Sequence, residues 1–227
     1  MSSLFCPQSG ASLFTFEHSK TAYRLDFVVL GAACAGLTAA LAVAAPPALR
    51  SECVTLAVLG LMSWTLVEYG LHRFILHGVR PFSTWHAEHH RRPAARIQSP
   101  TLLTVGFIAV AIYLPAWLTL GPWPACALTL GVTAGDFAYS VTHHVVHHPS
   151  LSRRGLGRQR RWHGLHHASA LDGTAKPGYY GVTSAFWDHI FRTALAGRAQ
   201  PIRRCRGAGA STQSIPRRVR SAAAAPD

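Results

Sequence analysis

Thirteen of the fourteen histidines fall between positions 72 and 189, and nearly all of these come in clusters. The clusters are His72/His77, His86/His89/His90, His143/His144/His147/His148 and His163/His166/His167. Histidines that merely fill a core or a surface occur one at a time, so this grouping reads as metal ligation. Any fold open to the chain must bring these four segments to one place, across the intervening stretch 91–142.

The spacings say how. His86, His89 and His90 stand at i, i+3 and i+4, one face of a helix, and His163, His166 and His167 repeat the pattern. His143/His147 and His144/His148 are both i, i+4 pairs, rotated from each other by about 100°, so only one of them can face the other clusters. His72 and His77 are five apart, about 140° around an ideal helix. Both can serve only if they straddle the site or if the helix is distorted between them. The imidazoles outnumber what one ion can hold, which argues for two metal ions. All-nitrogen ligation suits iron, zinc, copper or nickel and does not suit magnesium or calcium.

The chain is 49% hydrophobic and only 14% charged, with the apolar residues bunched into runs. The expectation is an all-α protein of four transmembrane helices, at about 26–45, 53–71, 102–120 and 125–141, each long enough for a ~30 Å hydrocarbon layer. Pro46-Pro47 ends the first run, and Gly121-Pro122-Trp123-Pro124 joins the last two. The net charge is +13, and almost all Lys and Arg lie on one side of these spans, with Arg50 alone on the other. That asymmetry predicts a multi-pass integral membrane protein with both termini and every histidine cluster in the cytoplasm. It favours anionic lipid over nucleic acid as the partner of the basic residues. The third and fourth spans become a hairpin that leaves the cytoplasmic face after His90 and returns to it before His143. A cytoplasmic helical cap, 72–101 and 142–194, then holds the histidine-rich dimetal site. The domain layout is a polar segment 1–25 without the apolar core of a cleaved signal, a membrane domain 26–194, and a disordered basic tail 195–227. The five isolated cysteines read as packing residues.

Two acids lie inside expected spans. Glu68 precedes His72 by one helical turn and Asp136 precedes His143 by two, so each is a candidate acceptor for an imidazole N–H, with pairing to Arg or water as the plainer alternative. Glu88, within HAEHH, reads as a supporting or solvated residue. The basic run Arg153, Arg154, Arg158, Arg160 and Arg161 reads as attraction to a membrane surface, with docking of an acidic electron donor or a lipid headgroup as the sharper alternative.

The series HRFILH, HAEHH, HHVVH and HGLHH, closed by GVTSAFWD, resembles the fatty acid hydroxylase/sterol desaturase superfamily over about Glu68–Thr193. YSVTHHVVHH, WHGLHH and YGVTSAFWDHIFRT look most like its fatty acid 2-hydroxylase branch. The resemblance implies two histidine-bound metal ions, iron expected and zinc a possible substitute, and an enzyme that uses O2 and two electrons to oxidise a lipid C–H bond. It implies His72, His77, His86, His89, His90, His143, His147, His163, His166 and His167 as ligands, leaving His144 and His148 as outer neighbours. Tyr139 matches a site-lining tyrosine and is the candidate catalytic side chain, whereas Ser140 stands where that branch often has Asp. Electrons are expected from a separate carrier, cytochrome b5-like, a ferredoxin or similar. His189 matches no ligand position and reads as structural or solvated. Trp187-Asp188 reads as a packing element of the cap, on a helix begun by Ser184.

The leading expectation is therefore hydroxylation of a fatty acyl chain of a membrane lipid, at its carbon 2. HRFILHG followed by HAEHH also resembles carotenoid hydroxylases, which keeps a sterol or carotenoid hydroxylase or desaturase as the alternative within the superfamily. A zinc-binding membrane protein or transporter without redox chemistry is the alternative of another class. Transporters gather polar ligands near mid-membrane, whereas these histidines gather beyond the span ends.

Overall fold

The computed structural model describes residues 17–148, 155–172 and 177–194; the segment before residue 17, the tail 195–227, Arg153, Arg154, Cys6 and Cys205 lie outside the described residues. Helices α1 (Lys20–Ala44), α2 (Arg50–Gly70), α3 (Phe82–Arg91), α4 (Thr101–Ile108), α5 (Leu114–Leu120), α6 (Pro122–His147), α7 (Gly157–Asp172) and α8 (Phe186–Ile190) follow in that order. Among the described residues the extended pairing is confined to one bridge, Glu17 to Ile97, so the fold is all-helical.

Ser19 starts α1, its Oγ accepting from the Ala22 amide at 3.1 Å. The helix stops before Pro46 and Pro47, and a 3-10 turn, Pro47–Leu49, leads into α2. Gly121, at φ 87°, makes the tight turn between α5 and α6 that a side chain would strain.

Among the described residues three helical stretches are long and apolar enough to cross a membrane: Lys20–Ala44, Pro47–Leu76 and Thr101–Leu120. Their outward faces carry exposed Val28, Val43, Val58, Met62, Leu102, Val110 and Leu118, as a lipid-facing surface requires. The fourth expected span is the 26-residue helix α6, which is not among these three. The physical reason is its place: α6 runs through the middle of the bundle against α1, α2 and α5, and its buried residues include the small or polar Thr129, Gly131, Thr133, Gly135 and Asp136. Small residues let it approach α2 closely. A Cβ at Gly60 would run into the Leu128 carbonyl, and one at Gly131 into the Ala57 carbonyl.

Two π turns interrupt the long helices. The turn Ala109–Tyr113 lies between α4 and α5, just before Pro115, which has no N–H for the Ala111 carbonyl and forces the ladder to widen there. The turn Leu71–Leu76 continues α2 into the cap. The cap itself is α3, α7, α8 and the strap 177–185 before α8, folded over the ends of α2 and α6. A backbone bond from the His18 amide to the Arg96 carbonyl, 2.8 Å, ties the start of α1 to the connector after α3.

Candidate metal centre

The π turn answers the spacing of the first cluster. A π turn closes i to i+5, and the His77 amide donates to the His72 carbonyl at 3.3 Å. Residues five apart therefore share a face, and the two imidazoles stack with centroids 5.3 Å apart. On α3 and α7, His86/His89/His90 and His163/His166/His167 line one face each, as the i, i+3, i+4 spacing required.

Four helical segments thus deliver ten imidazoles to one buried place. In one group, ring nitrogens of His72, His77, His86, His90 and His166 all lie within 4.8 Å of one another; in a second, those of His89, His143, His147 and His163 do. His167 Nε2 sits 3.0 Å from His163 Nε2, and its ring stacks on His90 at 4.1 Å between centroids, so it joins the second group at the border of the first.

Whether metal fits can be tested on the nitrogens alone. His86 Nε2 has three neighbours, His72 Nε2 at 3.0 Å, His77 Nε2 at 3.1 Å and His90 Nε2 at 3.0 Å. A ring nitrogen carries one proton or one lone pair, so it can make one such hydrogen bond and not three. A cation among them satisfies all at once. Nitrogens about 2.1 Å from one ion and at right angles to each other lie about 3.0 Å apart, the spacing seen. His77 to His166, 3.1 Å, continues the first group; His89 to His147, 3.2 Å, and His147 to His163, 2.8 Å, repeat it in the second. The donor set fits two ions of the imidazole-binding kind.

Protonation states agree with ligation. Burial, more than any other cause, holds His77 and His147 down to about 4 and His89, His90 and His167 down to about 2. Burial and then neighbouring imidazoles hold His86, His143, His163 and His166 well below the usual histidine range. At neutral pH all are neutral, the form that binds a metal.

The strap orients two of them. His166 Nδ1–H donates to the Gly178 carbonyl at 2.8 Å, and His72 Nδ1–H donates to the Tyr180 carbonyl. A carbonyl can only accept, which fixes the tautomer and leaves both Nε2 lone pairs facing the group. Tyr179, between the two carbonyls, adopts the left-handed φ of 55°. The strap is held by two acids. Fully buried Asp188 accepts from the Tyr180 and Gly181 amides, both at 2.8 Å, and from Thr193 Oγ1 at 2.6 Å. Glu68 accepts from the Val182 amide, the Thr183 amide and the Thr183 hydroxyl.

Several expectations change in detail. Glu68 does not meet an imidazole; it acts on the strap that does. Asp136 is buried, and its Oδ2 has no partner among the described residues. That oxygen therefore does not orient His143. Glu88 pairs with Arg91 and Arg92 on the outer face of α3. His143 and His147 face the centre, whereas His144 turns to Tyr23, whose hydroxyl meets its Nδ1 at 2.8 Å, and to His148, 4.4 Å away between centroids. Tyr139 lies parallel to the His143 ring, 9° and 5.6 Å apart, and against Trp64. His189 is exposed. Helix α8 begins at Phe186 instead of Ser184, though Ser184 Oγ does accept from the Phe186 amide at 3.2 Å. Asp188 was missed as an organising residue: its partners lie up to eight positions away in an irregular strap, where no periodic signal exists.

A cavity of about 400 Å³ runs from the bundle to the metal centre. Its bundle end is walled by Leu30, Trp64, Phe107 and Ile108, and its cap end by His72, His86, His89 and His143, with Tyr139 and Ser140 between.

The chain is similar to a dihydroceramide fatty acyl 2-hydroxylase of Arabidopsis thaliana, 33% identical over 59% of this chain and 58% of that one. It is also similar to a ceramide very long chain fatty acid hydroxylase of Schizosaccharomyces pombe, 30% identical over 63% of this chain and 43% of that one. The chain thus spans about half the length of these relatives. Among solved structures it is similar to full-length Scs7p, of which only the hydroxylase domain is visible, with a TM-score of 0.64 and 27% identity over 78% of this chain and 68% of that one. The pattern shared by fatty acid hydroxylases fits residues 57–193, more than half of the sequence, and the chain belongs to the fatty acid hydroxylase family.

Proposed function

We propose that the chain is a membrane-embedded oxygenase that hydroxylates a fatty acyl chain of a lipid, at carbon 2 of that chain. The reaction converts C–H, O2, two electrons and two protons into C–OH and water. The carrying observation is the apolar cavity that begins between membrane helices and ends on four of the ten imidazoles. The names of the relatives support the acyl chain of a ceramide-type lipid as substrate.

In this reading His72, His77, His86, His90 and His166 hold one ion, and His89, His143, His147, His163 and His167 the other. Iron, when bound, supplies the activation of O2 and the oxidising power for the C–H bond. The protein's own residues do the rest. Leu30, Phe107 and Ile108 hold the alkyl chain and keep water from it. Tyr139 packs flat against His143 and fixes the wall where the reacting carbon arrives. Asp188 and Glu68 keep the strap carbonyls aimed at His72 and His166. Helix α6 is the fourth span of the membrane domain 26–194, and the cap faces the cytoplasm, where an electron carrier of the cytochrome b5 or ferredoxin kind reaches it.

The test is lipid mass spectrometry of cells with and without the gene, joined to metal analysis of the purified protein. The expected result is a fatty acyl species heavier by one oxygen, absent with His163→Ala, and two iron ions per chain. Unchanged lipids with zinc bound and zinc uptake altered would overturn it.

A further inference from the structure

Among the described residues, the cap leaves an apolar surface uncovered. On α8, Phe186, Ile190 and Phe191 are 57%, 56% and 48% exposed. Phe74, on the π turn that continues α2, is exposed as well. The surface runs on into Met62 and Leu66, one turn apart on the lipid-facing side of α2. A continuous apolar patch of this kind marks an interaction site.

Contacts with α2 fix where α8 lies. The Trp187 indole N–H donates to the Thr65 hydroxyl at 3.0 Å, and Phe191 stacks on Tyr69 with centroids 5.3 Å apart. The Tyr69 hydroxyl meets that of Thr193 at 3.2 Å. Thr65 and Tyr69 belong to the stretch Pro47–Leu76, which is long and apolar enough to cross a membrane. Arg50 and Glu52 keep the far end of that stretch out of hydrocarbon, so the apolar layer starts near Cys53. About twenty residues at ~1.5 Å each cross a layer of ~30 Å and reach its other edge near His72. Thr65 and Tyr69 then stand about 10 Å and about 5 Å inside that edge, and the element packed on them stands in the same layer.

We propose that α8 is an interfacial helix: membrane lipid covers its outer face of Phe186, Ile190 and Phe191, and through that contact holds the strap 177–185 in place. This needs α2 to cross a lipid layer and is independent of the reaction proposed above. A depth of about 5–10 Å is that of helices lying at the boundary of headgroups and acyl chains. The helix faces two ways. Phe186 and Ile190, one turn apart, look outwards, whereas fully buried Asp188 looks inwards and accepts from the Tyr180 and Gly181 amides. His189 and Arg192 are exposed beside the apolar face and suit the headgroup level. Because the patch continues the lipid-facing side of α2, one solvent covers both. In water, three large apolar side chains of α8 would lose that cover, and α8 would loosen together with the strap whose carbonyls aim His72 and His166.

The experiment uses the full-length protein in bilayer discs of phosphatidylcholine and phosphatidylglycerol. A photoreactive benzophenone side chain replaces Phe186, Ile190 or, as the control, Ala168, which is exposed on the face of α7 that also exposes Arg158 and Arg161. After illumination, mass spectrometry should find phospholipid joined to the chain at positions 186 and 190, at more than about ten times the yield at position 168. Equal yields at the three positions overturn the proposal. So does a product of two chains, which makes the patch an interface between copies, or a bond to residues 195–227, which makes the tail its cover. Hydrogen exchange in the same discs reads the strap. Phe186→Gln with Ile190→Gln should speed exchange of the Tyr180 and Gly181 amides about tenfold over the wild type. Ile190→Gln alone should give about threefold and serves if the double variant does not fold. Lipid joined at 186 and 190 with unchanged exchange in both variants overturns the hold on the strap and keeps the lipid contact.

Discussion

The two histidine groups are built from the same side chain at the same spacing, yet they are held differently. In the first, His72 and His166 are locked from behind by the carbonyls of Tyr180 and Gly178, on a strap that Asp188 and Glu68 fasten. In the second, the Nδ1 atoms of His89, His163 and His167 are buried without a partner among the described residues. His90 of the first group shares that condition, so the contrast is one of degree. A ligand whose far nitrogen is hydrogen-bonded is aimed before the metal arrives, whereas an unheld ring must be ordered by the metal itself. The first centre is thus preorganised by backbone, and the second by helix packing alone.

The contrast is easiest to break at the ligands. His86→Ala removes the nitrogen on which three others converge and should leave one ion per chain, the second; His163→Ala should leave only the first. Either change should lower lipid hydroxylation more than about 100-fold, beyond the 10–100-fold range of outer-layer substitutions. Metal analysis checks the stoichiometry, and loss of both ions from His86→Ala would mean that the groups are one cooperative unit.

Asp188→Ala should come next. It strands two buried amides, and at about 1–3 kcal/mol for each the protein should lose about 2–6 kcal/mol of stability. Metal titration should show affinity at the first centre reduced about 10–100-fold, with the second changed by less than about threefold. Equal weakening of both would erase the distinction. A milder probe leaves the strap intact. The second ion, held alone in His86→Ala, should be lost at a chelator concentration about tenfold lower than the first ion held alone in His163→Ala.

These differences also mark what could be read from the chain. HAEHH and HGLHH carry their own geometry, because i, i+3, i+4 on a helix needs nothing beyond the helix. The helical pair between His90 and His143 could be read from its apolar runs and turn residues, which are local, although among the described residues only its first member is long and apolar enough to cross a membrane. His72 and His77 were legible only as a conflict, a five-residue step that an α-helix cannot use, and the π turn resolves it. The strap was not legible. The bond from His72 to Tyr180 spans 108 positions, and it depends on a left-handed Tyr179 and a buried Asp188 in a stretch with no period.

Acid should act on the metal-free cap with a definite sign. Unfolded histidine titrates near 6.5, and in the fold His77 and His147 are pushed down to about 4 by burial. Between these values the unfolded chain binds more protons than the folded one, so the fold loses stability as pH falls from about 6.5 towards 4 and gains nothing above 6.5. Melting curves of the metal-free protein should coincide at pH 7.5 and 8.5 and drop at pH 5.5. With both metals bound the drop should shift to lower pH, since protons then compete with the ions.

The smallest effect should come from the residue nearest the ligands in sequence. Glu88 stands between His86 and His89, yet on α3 its side chain points to the outer face and meets Arg91 and Arg92. Those ion pairs are partly solvated, and pairs of this kind contribute little. Glu88→Ala should therefore keep two metal ions per chain, change hydroxylation by less than about twofold, and move the melting temperature by about 1 °C or less. Loss of an ion from this variant would place the carboxylate in the metal centre. It would also show that α3 presents a different face to the two groups, and the assignment of His89 to the second and His86 to the first would fall with it.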